Sequence, residues 1–168
     1  MKTKAYIVTV VCIIAGVLLD QYTKFLAVTH LMDAPLPIIE GVFELRYLEN
    51  RGAAFGLLQN QQVFFIITGI LLLIFSSILY GKLPMTKRML PLRICMIGIC
   101  AGAIGNMIDR IRLNYVIDFL YFRLIDFPIF NVADIYVTLS TFGIGFLILF
   151  YYKEEELDSF FKFFSKKS

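Results

Sequence analysis

The stretch ICMIGICAGAIGNMIDRIRLNYVIDF, residues 94–119, opens with fifteen uncharged residues and then places Asp109, Arg110, Arg112 and Asp118 within the eleven that follow. An apolar run of this kind with a polar cluster at its end is a membrane helix meeting a water-exposed face, and the rest of the chain agrees. Of 168 residues, 59% are hydrophobic and 17% charged, and mean hydropathy is +0.77. A soluble domain carries about 25% charged residues, so the composition points to an integral membrane protein.

A hydrocarbon layer about 30 Å thick takes roughly 20 helical residues to cross. Outward from the quoted stretch, four charge-free runs approach that length: 5–19, 63–80, 94–108 and 135–152. The first and third are short and must extend into flanks that carry Asp20 and Lys24, or Arg93. The expectation is one all-α membrane domain over residues 1–168. Its helices lie at about 5–28, 62–80, 89–108 and 132–152, with outer regions at 29–61 and 109–131. The amino-terminal run, with Lys2 and Lys4 ahead of it, lacks a small-x-small cleavage site and reads as the first span.

Lys and Arg sort to one side. With four spans, the amino terminus, the 81–93 loop and the tail share a face that holds ten of the sixteen basic residues, while nine of the thirteen acids lie at or beyond the opposite helix ends. Both termini are therefore expected in the cytoplasm. The net charge of +3 is membrane topology, and no nucleic-acid partner is expected. Cys12, Cys95 and Cys100 match no metal or redox spacing and read as small buried hydrophobes. The tail after Tyr152 reads as an interfacial helix or a frayed end.

Between the first two spans the period changes. Phe43, Leu45 and Tyr47 alternate with Glu44 and Arg46 as in a half-buried strand, so a small extracytoplasmic β element is expected. NRGAAFG (50–56) follows, with Asn50 and Gly52 in a run of small residues; alone it reads most simply as a turn. The aromatic-rich segment from Arg110 to Asn131 is too interrupted to span and is expected to lie in the interface as an amphipathic helical piece.

Charges inside membrane segments are costly and usually mark a site. Asp20 and Lys24 are four apart on the first helix and can pair. Gly98 and Gly102, with Gly105 beyond, read as a close helix contact. Asn106 and Asp109 share a face where that helix leaves the membrane. Pro128 and Asn131 open the fourth helix, with Asn131 as N-cap and Asp134 at the third position, where the helix dipole favours an acid. A pair of aspartates at one membrane face can activate water for peptide hydrolysis, one as base and one as proton donor. HExxH and GxSxG are absent, and His30, the single histidine, sits at the interface.

Five motifs in order, DQYTK (20–24), NRGAAFG (50–56), GNMIDR (105–110), VIDF (116–119) and FNVAD (130–134), resemble the lipoprotein signal peptidases, or signal peptidase II, a family of bacterial membrane aspartyl proteases. The resemblance covers nearly the whole chain and departs only in VIDF, where the family often has two valines. It implies cleavage of diacylglyceryl-modified prolipoproteins just before the lipid-bearing cysteine, at the extracytoplasmic face of the bacterial cytoplasmic membrane. It also implies Asp118 and Asp134 as the catalytic pair, with Asp20, Lys24, Asn50, Gly52, Asn106, Asp109, Arg110 and Asn131 in support. Neither a metal nor a cofactor is implied; the partners are prolipoprotein signal peptides and membrane lipid, and the enzyme is expected to be monomeric.

On bare chemistry, Asp109 competes with Asp118 as the partner of Asp134. Nine residues apart, the two would fall on opposite faces of a single continuous helix with about 3.6 residues per turn, so they cannot both meet one water. Asp109 adjoins Arg110, which suits a structural ion pair, whereas Asp118 sits between Ile117 and Phe119, where apolar surroundings favour holding a proton. A small ion-coupled carrier using intramembrane aspartates is the competing reading, but its charges belong near the bilayer midplane in broken helices. A non-catalytic membrane adaptor leaves the costly acids unexplained.

Overall fold

The computed structural model describes residues 2–52 and 58–156. Within them the chain forms α1 (Lys2–Leu31), strands β1 (Leu36–Ile39) and β2 (Phe43–Asn50), α2 (Gln62–Lys82), α3 (Leu90–Leu113), β3 (Val116–Tyr121), a 3₁₀ turn (Arg123–Ile125) and α4 (Val132–Phe146). A π-helical turn, Leu147–Tyr151, continues α4. Among the described residues, four helices are long and apolar enough to cross a membrane, the last counted through Tyr151. Phe142, Phe146, Leu149 and Phe150 are among the large apolar side chains left exposed, an arrangement that lipid tails satisfy and water does not.

The helix α3 packs against each of the other three. Its glycines explain why. A Cβ on Gly102 would stand 2.4 Å from the Ala133 carbonyl oxygen, and one on Gly105 would stand 2.5 Å from Asp20 Oδ2. The small-residue spacing therefore brings α4 against α3 and lets a carboxylate of α1 reach between them.

The three strands form one antiparallel sheet in the order β1-β2-β3. Its attachment to the bundle is apolar: Ala27 and Leu31 at the end of α1 pack with Ile117 and Phe119 of β3. Two details differ from the sequence expectation. First, α3 runs on to Leu113, past Asp109 and Arg110, and ends where Asn114 adopts a left-handed conformation (φ 63°). Asn tolerates that region, which terminates helices. Second, the middle of the expected interfacial helical segment is strand: Val116–Tyr121 pairs with β2 from Asn50↔Val116 to Glu44↔Tyr121. Beyond the end of α3, the helical part of the segment is the 3₁₀ turn. Asp109 and Asp118 thus lie on different elements, and the half-turn argument that separated them fails in its premise.

The alternation read in β2 is also interrupted. A register shift falls between Leu45 and Leu48, and Glu44 is buried, 3.4 Å from Arg123. Cys12 is exposed on the outer side of α1, contrary to the expectation of burial, while Cys95 is half-buried and Cys100 buried. The NRGAAFG motif is described only through Gly52, and the tail only to Glu156; Ala53–Gly56 and residues 157–168 lie outside the described residues.

Candidate active site

The site is built from five elements at the end of the bundle where the sheet docks. Asp20, Lys24, Asp118 and Asn131 are the largest side chains that are fully buried, each under 2% exposed. Burying so many polar groups is tolerable only if each finds partners.

Lys24 of α1 is the hub. Its Nζ lies 2.9 Å from Asp20 Oδ2, 2.9 Å from Asp109 Oδ2 and 2.9 Å from Asn106 Oδ1. Three N–H donors meet three acceptors, so the ammonium is saturated. The Asp20–Lys24 pairing expected from i,i+4 spacing is present, whereas Asp109 takes Lys24 as its cation in place of the expected Arg110. Each supporting carboxylate also holds a backbone donor: Ala133 N–H donates to Asp20 Oδ1 (2.9 Å), and Ile117 N–H donates to Asp109 Oδ2 (3.2 Å).

Asn131 opens α4 as expected, in a reciprocal cap: its Oδ1 accepts from Asp134 N–H (2.9 Å), and Asp134 Oδ2 accepts from Asn131 N–H (3.1 Å). This satisfies two of the free donors at the helix start. Its Nδ2 donates to Asp118 Oδ1 (2.7 Å) and to Asn106 Oδ1 (3.0 Å). Asn106 Nδ2 donates in turn to Asp134 Oδ1 (2.8 Å), and Asn50 Nδ2 of β2 donates to Asp118 Oδ2 (2.8 Å). Gly52 donates its N–H to Asn50 Oδ1 (3.0 Å), which fixes that amide.

The strand β3 carries Asp118 and the first turn of α4 carries Asp134; the side chains of both line a cavity of about 280 Å³ together with Asn50, Asn106, Arg110 and Phe130. A second cavity, about 350 Å³ between α2, α3 and α4, shares Asp134, Asn106 and Arg110 with it. The guanidinium of Arg110 lies 4.6 Å over the Phe65 ring, donates weakly to the Gly52 carbonyl (3.4 Å), and keeps a buried Nε–H without an acceptor among the described residues.

Burial first, and the nearby Asp134 carboxylate second, push the Asp118 carboxyl up to about 7; the amides of Asn50 and Asn131 pull the other way and do not cancel this. The structure thus gathers all ten residues singled out in the sequence into one network. It adds Gln21, inside the DQYTK motif, whose Nε2 donates to Asp109 Oδ1 (2.9 Å) and approaches Asp20 Oδ2 (3.2 Å). Its signal was its spacing: Gln21 is three residues before Lys24 and shares its face. Among the described residues, no three His, Cys, Asp or Glu side chains gather as a metal site.

A family model described as signal peptidase (SPase) II matches residues 12–152. The chain belongs to this family. A lipoprotein signal peptidase of Caldanaerobacter subterraneus subsp. tengcongensis is 45% identical over 139 residues, covering 80% of this chain and 90% of the relative. The lipoprotein signal peptidase of Clostridioides difficile is 43% identical over 149 residues, covering 87% and 95%. A solved structure described as a bacterial membrane enzyme, determined by the in meso method at 2.3 Å resolution, superposes with a TM-score of 0.74 at 30% identity and covers 84% of this chain and 87% of its own. Signal peptidase II membership, the four-helix plan and the small sheet therefore agree with one another.

Proposed function

We propose that this signal peptidase II acts as an aspartyl endopeptidase on diacylglyceryl-modified prolipoproteins, cutting just before the lipid-bearing cysteine. The observation that carries the reading is that two carboxyls from different elements, Asp118 and Asp134, line one cavity and are both held by Asn131, whose side-chain amide donates to Asp118 and whose backbone N–H donates to Asp134.

The division of labour follows from their surroundings. Asp134 sits at the amino end of α4, where the helix dipole favours a carboxylate, and serves as the base that takes a proton from the attacking water. Asp118, held protonated near neutral pH, donates to the scissile carbonyl oxygen as the tetrahedral intermediate forms. Collapse of that intermediate breaks the C–N bond, and the proton on Asp134 passes to the leaving amine of the cysteine. Asp118 recovers its own as the carbonyl re-forms. The Arg110 guanidinium lines the same cavity and places a cation beside it for a substrate carbonyl.

The charge distribution supports an orientation in the bacterial cytoplasmic membrane with both termini cytoplasmic and the dyad of this single integral domain toward the outer face, where lipid and prolipoprotein meet. A phosphatase fusion active only outside the cytoplasm is expected to work when joined after Tyr47 and to be silent after Lys87; the reverse pattern overturns this orientation. The activity is tested by incubating purified protein in detergent with a verified diacylglyceryl prolipoprotein. A shortened lipoprotein is the expected result, and an uncleaved substrate refutes the reading.

A further inference from the structure

The structure assigns Gln21 as a positioning residue that fixes the separation of the two dyad aspartates by tying together the carboxylates that hold their backbones. This rests on the dyad proposed above.

The hydrogen bonds behind the two aspartates are symmetric. Asp20 accepts from the N–H of Ala133, the residue immediately before Asp134. Asp109 accepts from the N–H of Ile117, the residue immediately before Asp118. Each half of the dyad is therefore tethered, one residue before it, by a buried carboxylate of another element. Ala133 lies in the first turn of α4 and Ile117 in β3, where the regular backbone fixes the dihedrals between tether and dyad residue, so moving a supporting carboxylate shifts the dyad residue with it.

Those two carboxylates share one cation. Lys24 bonds both, and its third N–H goes to Asn106. Two negative charges against one positive charge in a buried site repel unless further donors fill the remaining lone pairs. Gln21 supplies these donors. Its Nε2 reaches Asp109 Oδ1 at 2.9 Å, the oxygen that Lys24 does not bond, and Asp20 Oδ2 at 3.2 Å; the Gly105 carbonyl, at 3.3 Å, anchors the amide on α3. An amide donor suits the position because a third carboxylate would add repulsion and could donate nothing to its neighbours. Gln21 borders a cavity of about 290 Å³ that is lined by Lys24, Asp109 and Ile117 but by neither dyad aspartate, so it acts through Asp20 and Asp109.

The test uses the full-length protein in detergent with Gln21→Met, which keeps length and removes the donors. Steady-state cleavage of a diacylglyceryl prolipoprotein is measured, along with the amide resonances of ¹⁵N-Ile- and ¹⁵N-Ala-labelled enzyme. The expected result is about a tenfold fall in kcat with KM within about twofold, together with displaced Ile117 and Ala133 amide signals and an unmoved Ile74 signal on α2. Gln21→Asn, which retains the amide one methylene short, gives the same pattern to a smaller degree and serves if the Met variant does not accumulate. An unchanged kcat, or unmoved Ile117 and Ala133 amides, overturns the inference. A wild-type enzyme that fails to cleave instead sinks the proposed activity, and a fully active Asp118→Asn sinks the dyad, so the three failures are separate.

Discussion

Two pairs of aspartates, all buried except the half-buried Asp134, lie side by side in this molecule and are held in different ways. Asp20 and Asp109 flank an ammonium, and each accepts a backbone N–H as well. Among the described residues, Asp118 and Asp134 receive side-chain donors from neutral amides alone, those of Asn50, Asn106 and Asn131. The first pair is held against a cation. In the second pair Asp118 is raised to about 7, so a proton stays within reach near neutrality. On the proposed reading, one residue type serves as scaffold or acid according to whether its partner is charged.

The sharpest way to break this comparison is to remove the proton from the second pair. Asp118→Asn and Asp134→Asn keep the shape of the site, and each is expected to lower cleavage by roughly 10²–10⁴-fold or more while the protein still folds and binds prolipoprotein. If either folded variant retains near-normal turnover, the assignment of the pairs is wrong.

Removing the cation from the first pair should act on stability instead. Lys24→Met leaves two buried carboxylates uncompensated, a change that costs about 3–5 kcal/mol, read as a large drop in thermal midpoint or as loss of yield in detergent. Asp109→Asn moves the same way to a lesser degree, with activity lost through structure. A Lys24→Met enzyme of wild-type stability would dissolve the distinction between the pairs.

The pH dependence sharpens the comparison further. Because the folded-state pKa of Asp118 lies above that of an unfolded aspartate, the folded chain retains a proton that the unfolded chain releases. Stability is fully present below the ordinary aspartate range and falls as pH rises toward about 7. Asp118→Asn lacks this slope, so its thermal midpoint should gain on the wild type between pH 5 and pH 8, an interval chosen to bracket the raised pKa. Wild-type kcat should fall over the alkaline side of the same interval as the acid is lost. A stability difference that does not change with pH would count against a protonated Asp118.

The smallest expected effect is at the cap. Asn131→Ala removes the acceptor for Asp134 N–H and costs about 1 kcal/mol of stability; turnover should fall further, because the same side chain also bonds Asp118. Unchanged turnover would show that the bridge between the aspartates is dispensable.

The sequence carried the local parts of this arrangement well. Asp20 and Lys24 are one helical turn apart, and Asn131 three residues before Asp134 is a capping pattern, so neither needs the rest of the fold. The glycine spacing foretold a close helix contact on α3, though not which helices would fill it. What was hidden depends on distance along the chain. Val116–Tyr121 becomes a strand because β2, more than sixty residues earlier, offers it an edge, and the break in α3 rests on one left-handed asparagine, Asn114. The choice of Lys24 over Arg110 as the partner of Asp109 likewise requires α1 beside α3. Gln21 escaped because an amide carries no charge to draw attention.

The separation of Asp118 on the sheet from Asp134 on the bundle has a consequence for biogenesis. Asp118 takes its place when β3 pairs with β2, and Asp134 does so when α4 enters against α3, so the proposed dyad is incomplete in an emerging chain until α4 has been made. On that reading a nascent copy is latent until its last transmembrane segment has packed. Its onset of activity is thus a report that assembly is finished.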